Sequence, residues 1–324
     1  MKLNKLGTII TALTVATMFD FLSIAKPAGA ASIKLIGLTD TNTLVSFDPN
    51  NPTKTKSIGV SGVQGNLLGI DFRASNGQLF GVTDANSVYT IDPNTGVATL
   101  VLTPNAAPFT LNGNSFGVDF NPNPDAIRVV SDAEQNLRLN ANTGGLALNA
   151  PDRSLAYAAE DSNANANPNI VAQAYTNSFA PSPDPTRRTT LYGIDSNLDI
   201  LVTQGSENFL PGDPAPAVSP NTGQLFTVGS LSVDFGSQGG FDIFSTKKGN
   251  DITNTAFAAS DSTLYDINLK TGRATTLGTI GNGNAKIIGL AATSVPEPGT
   301  IGSLIGFGVL ALVGCRCRRD KSAI

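Results

Sequence analysis

Three aspartates recur in one local setting: Asp71 in Gly-Ile-Asp-Phe, Asp119 in Gly-Val-Asp-Phe and Asp242 in Gly-Phe-Asp-Ile. Two further segments place Thr176, in Ala-Tyr-Thr-Asn, and Ala291, in Gly-Leu-Ala-Ala, at the corresponding position. Carboxylates gathered from separate strands can coordinate a hard cation such as Ca²⁺ through oxygen. With their pKa values split, they can instead serve as acid and base in glycoside hydrolysis. The plainer reading is that each Asp accepts backbone amides from a neighbouring strand. A second candidate is the loop Asp161-Ser-Asn-Ala-Asn-Ala-Asn167, where Asp161, Asn163 and Asn165 alternate as in an oxygen-ligand calcium loop. It lacks the glycine at position six, and Ala172 stands where such a loop needs its glutamate, so an Asn-rich surface loop is the simpler account.

Much other chemistry is excluded by what the chain lacks. It has no histidine, and its only cysteines, Cys315 and Cys317, sit next to the C-terminus. Histidine triads, His-ligated metals and thiolate catalysis in the body are ruled out, and so is a disulfide there. Of the 21 basic and 25 acidic residues, seven basic and two acidic lie before Ala31 or after Pro298. The stretch between keeps 14 against 23, a net charge of -9. Such a surface repels nucleic acid and anionic polymers and suits cations or neutral sugars.

Both ends read as addresses. Lys2 and Lys5, an apolar run from Leu6 to Ile24 and the small-residue site Ala28-Gly29-Ala30 compose a signal peptide over 1–30, cleaved after Ala30. At the other end, Pro296-Glu297-Pro298 precedes an apolar run from Ile301 to Val313 and the basic cluster Arg316, Arg318 and Arg319. The run is short for a bilayer-crossing helix, although a short transmembrane helix acting as a transient stop fits it. The tripartite pattern over 294–324 resembles the PEP-CTERM sorting signal of Gram-negative bacteria and cyanobacteria. The resemblance implies secretion machinery and an exosortase-type transpeptidase as partners. It also implies passage through the inner membrane, contacted only by the terminal segments, and delivery to the cell surface or medium.

Between the signals, 31–293 repeats a unit of four short runs punctuated by turn residues, the pattern of four antiparallel strands. The second run ends in Thr-Asp or Ser-Asp at Asp40, Asp84, Asp132 and Asp261, and less regularly at Asp195. An Asp present in every copy reads as a turn residue. Steps of 44 and 48 residues between the first three copies match one propeller blade. The first copy, 33–60, lacks a first strand, and Ile287 to Ala291 resembles the missing piece. This predicts an all-β fold, a β-propeller of five four-stranded blades closed by a C-terminal strand joining the N-terminal blade. Blades are expected over 33–60 with 287–293, 67–102, 115–149, 170–235 and 241–281. The fourth is irregular enough to leave six blades or an open sandwich as alternatives. Arg187-Arg188, after the Pro-rich stretch 181–185, is expected to mark an exposed loop.

Phrases such as Leu79-Phe-Gly-Val-Thr-Asp84, Tyr157-Ala-Ala-Glu-Asp161 and Gly240-Phe-Asp-Ile243 give the body a resemblance to an exported bacterial family of domain-of-unknown-function 4394 type. The resemblance implies a propeller-like secreted domain and brings no catalytic residues. The expected function is a secreted or cell-surface propeller that binds matrix polysaccharide, a cation or a surface protein without catalysis. The alternative is an extracellular carboxylate-dependent glycan hydrolase using Asp71, Asp119 and Asp242.

Overall fold

The computed structural model describes residues 32–102 and 106–295. The expected signal peptide, with Ala28 and Ala30, and the motif, apolar run and arginines from Pro296 onward lie outside the described residues. Among the described residues no helix is long and apolar enough to cross a membrane.

Five small antiparallel sheets follow one another around an axis. Blade 1 holds β1 (Ser32–Thr39), β2 (Thr43–Asp48) and β3 (Asn51–Gly59), and blade 2 holds β4 (Leu67–Phe72), β5 (Leu79–Thr83), β6 (Ser87–Ile91) and β7 (Ala98–Val101). Blade 3 has β8 (Phe116–Asn121), β9 (Ala126–Ser131) and β10 (Asn136–Leu139). Blade 4 combines β11 (Ala156–Tyr157), β12 (Ile170–Tyr175), β13 (Thr189–Asp195), β14 (Ile200–Phe209) and β15 (Gln224–Ser230). Blade 5 contains β16 (Gly240–Lys248), β17 (Asp251–Ser260), β18 (Thr263–Ile267) and β19 (Ala274–Thr279), and β20 (Ile287–Val295) returns to blade 1. There it pairs antiparallel with β1 from Ser32↔Val295 to Thr39↔Ile287. The last strand closes the ring, so the first blade is built from both ends of the domain.

Two blades depart from the four-strand expectation. In blade 3 the chain after β10 makes only the Leu139↔Leu146 bridge, because the Leu146 amide bonds Ala107 O instead of continuing a ladder. The chain then crosses to blade 4, where β11 adds to β15 in parallel. Blade 3 therefore has three strands and blade 4 has five.

The turns explain why the repeat folds this way. Asp84 and Asp132 each take a backbone amide 18 residues upstream, Asn66 and Asn114, both at 2.8 Å. Asn42 and Asn86, with φ near 55°, accept the amides of Leu67 and Leu111 at 2.7 and 2.8 Å and so tie each blade to the next. Asn tolerates that left-handed backbone better than most residues. Asp48, Asp92 and Asn140 cap their own hairpin turns at 2.8 Å. The core is divided among the blade interfaces, with one apolar cluster between each neighbouring pair of sheets.

Candidate functional site

The innermost strands β4, β8, β12, β16 and β20 pack on one another around the axis. Register fixes which residues meet there. Asp71 pairs with Phe80, Asp119 with Arg128, Asp242 with Phe257, Ala291 with Ile36 and Ala174 with Tyr192. The fifth axial residue is thus Ala174 and not Thr176. A slip of two residues preserves strand alternation, so the sequence pattern could not separate the two. Thr176 instead accepts the Thr190 amide at 2.8 Å and belongs to the cleft between blades 4 and 5.

Glycine makes the axis tight. A Cβ at Gly117 would lie 2.8 Å from Gln173 N, and one at Gly240 would overlap the backbone of Gly289 and Leu290. Gly69 is as close to the Val118 side chain, so with no side chain at these three positions adjacent inner strands approach until each Asp reaches the next blade. Asp71 accepts Phe72 N at 2.6 Å and Phe120 N at 2.7 Å. Asp119 accepts Tyr175 N at 3.0 Å, and Asp242 accepts Ile243 N at 2.6 Å and Ala292 N at 2.5 Å. Five of the six carboxylate oxygens are thereby engaged, and the second oxygen of Asp119 has no hydrogen-bond donor among the described residues.

The three carboxyls also meet one another. One oxygen from each lies within 4.8 Å of the other two, and the residues are only 4, 2 and 5% exposed. Burial raises Asp71 well above the usual carboxylate range, with the charge of Asp242 adding to it. Burial does the same to Asp119, reinforced by Asp71 and Asp242. Asp242 is pushed up to about 7 by burial, against the pull of its two amide donors. Three like charges cannot all persist at this separation in a dry site, so the group must hold protons or a cation.

The same inner strands line a void of only ≈ 10 Å³, bounded by Gly69, Gly117, Gln173, Gly240 and Gly289 among others. That is about the space of one water molecule.

The Asp161 loop is tied to blade 4. Asp161 accepts Thr227 N at 2.6 Å and the Thr227 hydroxyl at 2.7 Å, together with Asn163 N at 2.8 Å. Asn163 donates its side-chain amide to the Thr227 hydroxyl at 2.8 Å, and Asn165 adopts φ 72°. These bonds make the loop a brace on β15. Arg187 is also not the exposed residue expected. It is buried, donates to Phe179 O and Pro181 O, and stacks 4.1 Å over the Phe179 ring; only Arg188 is exposed, paired with Asp213.

One buried cation went unnoticed in the sequence. Arg128 is fully enclosed between blades 3 and 4, donating to Asn136, Asp152 and Asn221 at 2.6 to 2.7 Å and to the Tyr175 hydroxyl at 3.2 Å. Its place is taken by Phe80 and Phe257 in blades 2 and 5. A polar network here replaces apolar packing at the interface with the smallest core cluster.

Five radial sheets, a carboxylate-bearing axis and a ring closed by its last strand define a β-propeller. The chain belongs to a family of domains of unknown function, DUF4394, which matches residues 43–291, and a PEP-CTERM protein-sorting motif matches residues 294–319. The motif marks an exported, exosortase-processed protein with a cell-surface or extracellular destination. No curated protein matches the sequence.

Proposed function

We propose that the protein is a non-enzymatic binding or matrix component of the cell exterior, held briefly at the inner membrane through its terminal segments while it is sorted. The enclosure of the axial aspartates carries this reading. A hydrolase needs a sugar ring between its carboxyls, and Asp71, Asp119 and Asp242 are only 2 to 5% exposed, with five of their six oxygens bonded to backbone amides. The test is to incubate the processed protein, purified after export, with soluble glycans and measure new reducing ends. None are expected, and their release would overturn the reading. Extracellular polysaccharide and surface proteins are the partners this role implies.

A second reading gives the axis a resident cation, and the open oxygen of Asp119 favours it. The three carboxylates suit Ca²⁺ by ligand type, although they supply only part of the six to eight oxygens it takes. Melting in calcium against chelator at pH 8 tests this, because a bound ion must stabilise the folded state. Equal melting temperatures would remove it.

A further inference from the structure

Blades 4 and 5 share one apolar cluster. Outside it lies an open groove of ≈ 740 Å³, with a second of ≈ 400 Å³ beside it; both are lined by Glu207 and Lys270. Small-molecule sites commonly span about 300 to 1,000 Å³. The walls are braced. Asn177 and Asn254 exchange two hydrogen bonds of 3.0 Å, Ser245 donates to Asn254 at 2.7 Å, and Thr190 accepts the backbone N–H of Asn208 at 2.9 Å.

On this frame stand side chains with no internal use. Among the described residues, the Glu207 and Asp266 carboxylates, the Lys270 ammonium, the Asn208 side-chain amide and the Thr255 hydroxyl have neither a hydrogen bond nor an ion pair within the protein. Asp266 is half-buried, and that burial raises its pKa; Tyr192, at the groove floor, is pushed up to about 12 by burial and by the charge of Glu207. Ile252, Leu269 and Phe226 offer partly exposed apolar surface among these polar groups.

We propose that the groove between blades 4 and 5 binds a neutral oligosaccharide, with Glu207, Asp266 and Asn208 taking its hydroxyls and the apolar residues lying against its C–H faces. Side chains that both donate and accept suit hydroxyls, which do the same. A carboxylate accepts two neighbouring hydroxyls at once. One lysine against two carboxylates does not suit an anionic chain, and neither does the net charge of -9 between Ala31 and Pro298. The inference rests on the binding role proposed above and adds to it a place and a ligand class.

The experiment titrates the processed protein calorimetrically with neutral hexasaccharides of the cello, laminari and manno series, and with an alginate hexamer as the anionic comparison. At least one neutral series is expected to bind, the alginate is not, and Glu207→Gln with Asp266→Asn should weaken binding tenfold or more at unchanged melting temperature. Thr255→Arg, which crowds the groove from its wall, is the second variant should the first pair melt early. Binding that both variants leave intact overturns the groove while the broader binding role stands. Failure of every neutral series, or binding of alginate in preference, also overturns it. Release of reducing ends would instead count against the non-enzymatic role itself.

Discussion

Asp71 of blade 2 accepts the backbone amide of Phe120 in blade 3 at 2.7 Å, a contact between residues 49 apart in sequence that joins the inner strands of two adjacent blades. Its second oxygen takes the adjacent Phe72 amide, so both oxygens must be acceptors. Asp71→Asn turns one of them into an NH₂ facing an N–H donor and should cost about 1 to 3 kcal/mol. Asp119→Asn should differ, because only one Asp119 oxygen meets an amide and the new NH₂ can donate to its carboxyl neighbours. It is expected to leave stability at pH 8 unchanged or raised. Denaturant unfolding of the two variants side by side checks the contrast, and equal losses would refute it.

The axial carboxyls reverse the usual acid sensitivity of proteins. Asp242 titrates near 7 in the folded protein against an ordinary value of 3.8, and Asp71 and Asp119 are shifted in the same direction. Between about pH 4 and 7 the folded state therefore holds protons that the unfolded chain has released. Their contribution is greatest at low pH and is lost as pH rises through that window. In chelator, the melting temperature should fall by several degrees from pH 5 to pH 8, and Asp119→Asn should flatten the slope. A steeper loss on the acid side would show that other groups dominate.

The tight axis leaves no room for a side chain at Gly117 or Gly240. Gly117→Ala places a methyl group 2.8 Å from Gln173 N and should destabilise by roughly 1 to 3 kcal/mol through overpacking. Gly59→Ala, in β3, meets nothing within 4 Å and should change stability by less than about 0.5 kcal/mol. Thermal melts of both variants provide the comparison.

Removing the Arg128 guanidinium would leave the Asn221 side-chain oxygen without its donor and Asn136 with Gln204 alone, with Asp152 kept in balance only by Arg138. Breaking such a buried network typically costs about 3 to 5 kcal/mol. Arg128→Ala is expected to fall in that range. Native-state hydrogen exchange should place the loosening at the boundary of blades 3 and 4. A loss below about 1 kcal/mol would mean that the network contributes little.

The strands and turns were legible because they are local. Asp84, Asp92 and Asn140 bond amides a few residues away or at a fixed offset in the repeat, so the same residue types recur in every copy. The closure of the ring could also be read, since the first copy lacked a strand and Ile287 to Ala291 matched it. The departures in blades 3 and 4 arise where the chain leaves its own sheet for the next, and no periodicity records that. The axial aspartates stood out through Gly-x-Asp, yet the sequence could not tell an open channel from a sealed one, which depends on how closely the glycine backbones approach. Arg128 hid in a strand position held elsewhere by phenylalanine. The groove joins side chains from Thr176 to Lys270, each unremarkable in its own strand.

The closing strand also has a mechanical meaning. β20 ends at Val295, directly before Pro296-Glu297-Pro298, and among the described strands its only ladder partner is β1. Should processing attach the protein by this end, tension along β20 would load eight paired residues together in shear instead of unzipping them one by one. The strand that completes the ring would then serve as its tether, and yielding there would free Asp242 from Ala292 and open the axis.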